Sequence, residues 1–78
     1  MFLNEAFPGK NYYIKNLHTK GVLRRRMRDL GIVEGTRVKR LFSAPFGDPV
    51  AYLVRGTVLA LRNEQAKEIE IGTVRDNE

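Results

Sequence analysis

Few side chains in this sequence are suited to metal or acid–base chemistry. The 78 residues include one histidine, His18, and no cysteine, which excludes disulfides, thiolate metal sites and thiol catalysis. His18 could bind a divalent transition metal together with Glu5 or Asp48, but one imidazole with hard carboxylate oxygens binds such an ion weakly. We therefore expect His18 to be a surface residue, and we expect no metal ligands and no resident cofactor.

Phosphate-binding loops and catalytic constellations are also missing from the sequence. Neither a GxxxxGK[ST] loop nor a GxGxxG turn occurs, and these are the short motifs with which many enzymes hold nucleotides. No nucleophile with an acid–base partner can be assigned. We therefore expect a binding module with no catalytic residues, not an enzyme.

Basic side chains concentrate in the first four fifths of the chain. Residues 1–62 contain 12 basic and 4 acidic side chains, whereas residues 63–78 contain 2 basic and 5 acidic ones. The densest cluster consists of Arg24, Arg25, Arg26 and Arg28, followed by Arg37, Lys39 and Arg40. Such a face is typical of proteins that bind nucleic acid, anionic lipid or an acidic protein surface. It also occurs on small soluble domains that have no polyanionic partner.

One segment places an aromatic side chain between two prolines. Residues 44–49 read Ala-Pro-Phe-Gly-Asp-Pro and are predicted to form a loop, because proline and glycine interrupt regular structure. Two interpretations of Phe46 stay open: it presents an apolar patch to a partner protein, or it folds over the core. Gly47 is expected to adopt a backbone conformation that other residues disfavour.

The composition allows one packed domain, which we assign to residues 1–74, with residues 75–78 as a polar, frayed tail. Hydrophobic residues make up 42% of the chain, enough for a core. No apolar run approaches the roughly 20 residues that span a bilayer, and no signal-peptide pattern opens the chain.

Alternation and turn residues predict short strands. Strands are predicted at 11–17, 37–43, 50–54 and 57–61. A last strand is predicted to contain Ile69 and Ile71 and to end at Ile71 or at Val74. A helix is predicted at 21–30 and one helical turn at 63–66. Arg55-Gly56 is predicted to form a tight hairpin turn. Val38 and Leu41 are the expected core contacts of the second strand, and Asn63 is the expected cap of the helical turn.

The helix is predicted to be amphipathic. Leu23, Met27 and Leu30 lie within one apolar arc, and Arg24, Arg25 and Arg28 point the other way. Arg26 lies beside the arc and is expected to be half buried, bonding loop carbonyls or the carboxylates of Asp29 or Asp48. Thr19 is the candidate cap at the helix start, and Gly31 is predicted to end the helix in the left-handed conformation, with Ile32 covering its last turn.

The tyrosines are candidates for a binding groove. Alternation places Tyr12 and Tyr13 on opposite faces of the first strand, so at most one of them belongs to the core. Tyr52 on the third strand is a further candidate for the groove.

Five short strands with one helix predict a mainly β fold. We expect a small, partly open β-barrel with the helix inserted between the first two strands, because curling the sheet reduces the exposed edges of so short a chain. The element order resembles an SH3-like barrel.

A series of segments in this order is similar to a known family. The segments are Arg26-Met27-Arg28-Asp29-Leu30-Gly31-Ile32, Glu34-Gly35-Thr36, Ala44-Pro45-Phe46-Gly47-Asp48-Pro49, Val54-Arg55-Gly56-Thr57, Ala60-Leu61-Arg62, and Glu64 to Ala66 with Ile69. Together they resemble the FeoA family of ferrous iron transport accessory proteins, whose core domain is shared with the C-terminal SH3-like domain of iron-dependent repressors. Met27 stands where a leucine is usual.

The resemblance implies a small cytoplasmic accessory protein of ferrous iron transport. Such a protein binds and modulates FeoB, a membrane transporter with a GTP-binding domain, and comes near the membrane only through that partner. The alternative is a nucleic-acid-binding SH3-like barrel that uses its arginine-rich helix; no nucleic-acid motif supports it. Weak self-association through an exposed strand edge also stays open.

Two sets of residues are candidates for function and for structure. The candidate partner-binding residues are Pro45, Phe46, Asp48, Arg24, Arg25, Arg28 and Tyr13. The candidate structural residues are Arg26, Met27, Leu30, Gly31, Gly35, Gly47 and Gly56.

Overall fold

Five antiparallel strands form one sheet in the computed structural model, which describes residues 1–74. The elements are a 3-10 helix at Leu3–Glu5, β1 at Asn11–Leu17, α1 at Gly21–Asp29, β2 at Arg37–Ser43, β3 at Val50–Val54, β4 at Thr57–Leu61, α2 at Asn63–Ala66 and β5 at Ile69–Thr73. These bounds confirm the strands predicted at 11–17, 37–43, 50–54 and 57–61 and the predicted helical turn. The last strand contains Ile69 and Ile71 as predicted but ends at Thr73, and α1 ends one residue before the predicted Leu30. The expected frayed tail at 75–78 lies outside the described residues.

The sheet curls without closing. Its strand order is β4-β3-β2-β1-β5, so β4 and β5 are the two edges of the described part of the sheet. Irregularities between Ile14 and Asn16 in β1 and between Arg40 and Phe42 in β2 bend the strands, as β-bulges do. The predicted partly open, SH3-like β-barrel with a helix between β1 and β2 is confirmed.

Alternate residues of the strands build the core. In β3, Val50, Tyr52 and Val54 are 0–1% exposed and point inward. Tyr12 in β1 is fully buried, whereas its neighbour Tyr13 is 37% exposed, as expected for opposite faces. Tyr52 is therefore a core residue and not part of a groove; its hydroxyl donates to the carbonyl of Leu3 at 3.4 Å.

The C-terminal end of α1 is stabilised by a Schellman motif. Gly31 has φ +94°, a region that glycine enters without steric cost. The Gly31 amide donates to the Arg28 carbonyl at 3.0 Å, and the Ile32 amide donates to the Met27 carbonyl at 2.9 Å. This is the hydrogen-bond pair of the motif. Ile32 and Met27 are both buried, which confirms the predicted helix end.

The other glycines expected to be structural also have positive φ: Gly35, Gly47 and Gly56.

Four further expectations about how single residues contribute to the fold were wrong. Leu30 is 48% exposed because α1 ends at Asp29 and Leu30 belongs to the cap, where the chain leaves the apolar arc. Leu41 is only partly buried because the irregularity at Arg40–Phe42 interrupts the alternation of β2. Thr19 does not cap α1: Lys20 is the residue before the first turn and no side chain bonds there. The fourth, Asn63, follows the capping position of α2, which Arg62 occupies.

Candidate functional site

The loop between β2 and β3 holds Phe46 fully in solvent. Phe46 is 100% exposed, which excludes the interpretation that it folds over the core. The loop around it is closed by two backbone bonds: the Ala44 amide donates to the Pro49 carbonyl at 2.9 Å and the Gly47 amide donates to the Ala44 carbonyl at 2.7 Å. The structure therefore displays an aromatic ring on a backbone with internal hydrogen bonds.

Side chains tie this loop to α2. Asp48 Oδ1 accepts a hydrogen bond from the backbone amide of Asn63 at 2.9 Å, and the side-chain Nδ2 of Asn63 donates to the Gly47 carbonyl at 2.9 Å. Asp48 is thus positioned at the N-terminal end of α2, where a carboxylate is favoured. Asp48 was one of the alternative partners considered for Arg26, and it does not take that role, because the loop turns its carboxylate towards α2.

An apolar outer face adjoins the loop and was not predicted as a site. The strand register places Phe42 opposite Ala51 and Ala51 opposite Ala60, while Leu53 lies opposite Val58. These residues alternate with the inward-pointing ones of β3 and therefore lie on the opposite face. Phe42 is 65% exposed. The sequence feature that could have indicated Phe42 is its position near the end of a strand, next to a loop that contains a second aromatic residue, Phe46.

The outer face continues onto the edge strand with Val58, which is 57% exposed. Ala51, between Phe42 and Ala60 in the register, is only 8% exposed, and Lys39 lies opposite Leu53 on the same face. The exposed apolar side chains of this face are therefore Phe42 at one side and Val58 with Ala60 at the other.

The burial of two arginines of α1, Arg24 and Arg26, differs from the prediction. Arg24 is half buried, and its Nη1 donates to the carbonyls of Leu17 at 2.7 Å and Thr19 at 3.5 Å. Arg26 is exposed, so the expected half-buried contact with loop carbonyls belongs to Arg24. The reason is that the carbonyls of Leu17, at the end of β1, and of Thr19, two residues later, lie on the Arg24 side of the helix.

Arg25 and Arg28 remain exposed on α1. A shallow open cleft of about 350 Å³ lies beside them and is lined by Leu17, Arg24, Arg28, Val33 and Glu34. Since a carboxylate contributes to its wall, the cleft is less positive than the arginine count of the helix suggests.

His18 pairs with a carboxylate that the sequence did not point to. Its Nε2 donates to Glu70 Oε1 at 2.9 Å, and Lys15 Nζ lies 3.7 Å from Glu70 Oε2. The hydrogen bond from His18 is the main reason that the pKa of Glu70 is lowered, with Lys15 adding to it. Glu5 and Asp48, the carboxylates considered as co-ligands of His18, instead accept hydrogen bonds from the backbone amides of Phe2 and Asn63.

Within residues 1–74, no three His, Asp or Glu side chains lie close enough together to bind a metal ion. None of the helices in this part of the chain has the length and apolar composition that crossing a bilayer requires.

Tyr13, a candidate partner-binding residue, covers a neighbouring glycine. It lies opposite Gly72 in the β1–β5 register, and its ring occupies the position that a side chain of residue 72 would take.

Comparisons with known proteins agree on one family. Residues 1–72 match the FeoA domain family. A protein of Porphyromonas gingivalis, an Fe(2+) transport protein A/Fe(2+) transporter FeoB fusion protein, is 32% identical over 77 residues, which cover 99% of this chain and 9% of that protein. The chain therefore spans about one tenth of the length of this relative.

Two solved structures share the fold over nearly the whole chain. The FeoA protein from Chlorobium tepidum superposes with a TM-score of 0.91 at 32% identity, covering 100% of this chain and 74% of that one. FeoA of Stenotrophomonas maltophilia, solved in complex with zinc and described as an SH3 domain protein, has a TM-score of 0.76 at 31% identity and covers 91% and 88% of the two chains.

Proposed function

Since this chain belongs to the FeoA family, we propose that it is a cytoplasmic accessory protein of ferrous iron transport that binds a FeoB-type transporter. The fusion of the two proteins in the Porphyromonas gingivalis relative supports this partner, because fused domains commonly act on each other. The chain modulates the transporter through protein–protein contacts and does not itself conduct iron or hydrolyse GTP.

The loop with Phe46 is the proposed centre of the contact. The Phe46 ring is 100% exposed to water, so burying its apolar surface against a partner is favourable. Aromatic residues are also frequent hot spots of interfaces. The bonds of Asp48, Asn63 and Gly47 hold the loop in shape before binding, which reduces the entropy lost on association. Pro45 contributes to the same preorganisation because its ring fixes φ.

The outer face of β2–β4 extends this apolar surface. Phe42 adds a second exposed aromatic side chain, so burial of this surface would exclude water from a larger contact area. Arg25 and Arg28 on α1 are the proposed contacts to an acidic surface of the transporter, and such exposed pairs affect association rate more than affinity.

The test compares Phe46→Ala with Phe7→Ala in a pull-down of detergent-solubilised cells. Phe7 is a matched control because it is 65% exposed and lies in the N-terminal segment, not in the loop. At ~150 mM salt and after nuclease treatment, we expect the wild type and Phe7→Ala to recover the FeoB-type transporter. Phe46→Ala is expected to recover at least about tenfold less, as is typical when a hot spot is truncated.

Two results would contradict the proposal. Equal recovery by Phe46→Ala and Phe7→Ala would move the contact away from the loop. Recovery of nucleic acid alone, lost after nuclease treatment or between 50 and 200 mM salt, would instead favour the arginine-rich helix as a polyanion-binding surface, because phosphate contacts are strongly salt-dependent.

A further inference from the structure

Strand β4 is an edge strand without any of the residues that normally protect an edge. Thr57–Leu61 reads Thr-Val-Leu-Ala-Leu, and within residues 1–74 it pairs only with β3. Edge strands of monomeric proteins usually have lysine, proline or a bulge to prevent pairing with another chain. β4 has no charge, no proline and no irregularity in its register with β3.

The hairpin geometry shows which backbone groups face outward. Arg55 and Gly56 both have positive φ, 52° and 80°, which is the signature of a two-residue type I′ turn. In such a hairpin the flanking residues Val54 and Thr57 exchange hydrogen bonds, and the exchange recurs at every second residue. The N–H and C=O groups of Val58 and Ala60 therefore point away from β3. No backbone hydrogen bond outside the strands and helices of residues 1–74 involves either residue.

We propose that β4 binds the β4 strand of a second copy of this chain, antiparallel and about a two-fold axis at Leu59. In this register Val58 of one copy lies opposite Ala60 of the other, so the outward N–H and C=O groups of both copies meet in hydrogen bonds. Leu59 lies opposite the second copy's Leu59 on the inner face, where each leucine packs against the core of its own copy. Two-fold pairing of identical surfaces is the commonest arrangement of soluble homo-oligomers.

Charges at the two ends of the pair oppose this association. Arg62 lies opposite Gly56 of the second copy, and Arg55 of the second copy lies opposite Asn63, one position from Arg62. Each end of the pair therefore brings two arginines close together, and their repulsion weakens the dimer and decreases as salt screens it. The two Arg62 residues themselves are six positions apart, or about 20 Å at roughly 3.3 Å per residue, which exceeds the Debye length of about 8 Å at physiological ionic strength.

The other edge of the sheet is less suited to such pairing. Phe2 forms an isolated antiparallel bridge with Glu70 of β5, and Glu70 itself adds a charge to that strand. A second copy pairing there would have to displace the N-terminal segment.

The predicted interface is small. Two five-residue strands with their flanking side chains bury less than the ~1,200 Å² that marks the lower end of stable complexes, so we expect a weak dimer that forms at high protein concentration. Pairing would form one continuous sheet from the two copies, and the outer faces of both copies would lie on the same side of it. It does not depend on the proposed binding to the transporter, and its test uses the isolated chain.

The first experiment measures self-association by sedimentation velocity from about 10 µM to about 1 mM. Val58→Lys places like charges near each other across the pair and is expected to weaken association at least about tenfold. Val22→Lys adds the same charge at a valine that is 72% exposed on α1 and is expected to associate as the wild type does. A monomeric wild type at 1 mM, or equal effects of the two substitutions, would overturn the proposal.

The second experiment tests the register by disulfide formation between introduced cysteines. Since the chain has no cysteine of its own, only the introduced residue can form the crosslink. In the proposed pair, Leu59→Cys brings two Cα atoms to about 4.5 Å, within the range of a disulfide. Val58→Cys leaves them about 7–8 Å apart, near or beyond the reach of a disulfide. We expect Leu59→Cys to crosslink at least about tenfold faster under mild oxidation.

Equal crosslinking rates, or faster crosslinking of Val58→Cys, would overturn the register. If Leu59→Cys does not fold, as circular dichroism would show, the comparison of Val58→Lys with Val22→Lys decides the proposal.

Discussion

The aromatic ring of Tyr13 lies directly on the backbone of Gly72, its partner in the β1–β5 register. A Cβ atom at residue 72 would lie 2.5 Å from Tyr13 Cζ and 2.7 Å from its hydroxyl oxygen. An aromatic side chain over a glycine of an edge strand compensates for the missing side chain and helps to pin the register. Tyr13 therefore has a packing role, although it is 37% exposed.

We expect Gly72→Ala to lower the free energy of unfolding by about 1 kcal/mol, because the new methyl group displaces the ring. In a Tyr13→Ala background the same substitution should stabilise by about 0.5–1 kcal/mol, because alanine loses less backbone entropy than glycine on folding. Urea denaturation of the four proteins of this double-mutant cycle measures the coupling. Additive effects of the two substitutions would contradict the contact.

The end of α1 provides a second prediction. Gly31→Val is expected to lower the free energy of unfolding by about 2 kcal/mol, because a β-branched residue is strained at positive φ. Gly31→Asn is the matched control, since asparagine tolerates this conformation, and should cost less than about 1 kcal/mol. Thermal denaturation compares the two. Equal losses would mean that crowding by Arg55, whose Cδ lies 3.0 Å from the place that a Cβ atom of residue 31 would take, matters more than the backbone conformation.

Asp48 is predicted to act on the shape of the Phe46 loop. Asp48→Ala removes the acceptor of the Asn63 amide and should cost about 1 kcal/mol of stability, as does the loss of a comparable helix-end bond. Asp48→Asn retains an acceptor oxygen and should cost less. Backbone amide exchange by NMR should show faster exchange at Gly47 in Asp48→Ala only; unchanged exchange in both variants would show that the loop does not depend on this bond.

The pH dependence of stability has a defined sign at Glu70. Because the pKa of Glu70 in the folded protein lies below its ordinary value of 4.5, folding favours the ionised carboxylate. This contribution is fully present above pH 4.5 and is lost as the pH falls through the folded-state pKa. His18→Ala should return the pKa of Glu70 towards its ordinary value, because the hydrogen bond from His18 is the largest cause of the shift.

Carboxyl carbon NMR titration of wild type and His18→Ala measures this change. Lys15→Ala is the control, since Lys15 acts on Glu70 only at longer range, and a smaller upward shift is expected. An unchanged pKa in His18→Ala would contradict the assigned cause.

The sequence by itself determined most of the elements and their ends. The ranges 11–17, 37–43, 50–54, 57–61 and 63–66 coincide with the observed elements, because alternation and turn residues act over a few neighbouring residues. Neither predicted helix cap, Thr19 or Asn63, is the observed capping residue. The end of α1 at Gly31 follows from the same local chemistry. The segments that resemble the FeoA family are equally local, which is why the family could be identified before the fold was known.

Only the tertiary structure decided which of two neighbouring side chains bonds to residues outside its own helix. Helical periodicity places Arg24 and Arg26 relative to the apolar arc, but it does not locate the carbonyls of Leu17 and Thr19 that accept from Arg24. Asp48 and Asn63 are 15 residues apart, and His18 and Glu70 are 52 apart. Such pairs depend on how the chain folds back, which propensities and periodicity do not encode.

Exposure of Phe46 was undecided for the same physical reason. An aromatic side chain in a proline-rich loop gains free energy either by folding over the core or by binding a partner, and the loop sequence is compatible with both. The bonds from Asp48 and Asn63 hold the loop at the start of α2 and leave the ring in solvent. The position of the candidate site is thus a property of the assembled sheet and helix, not of the loop alone.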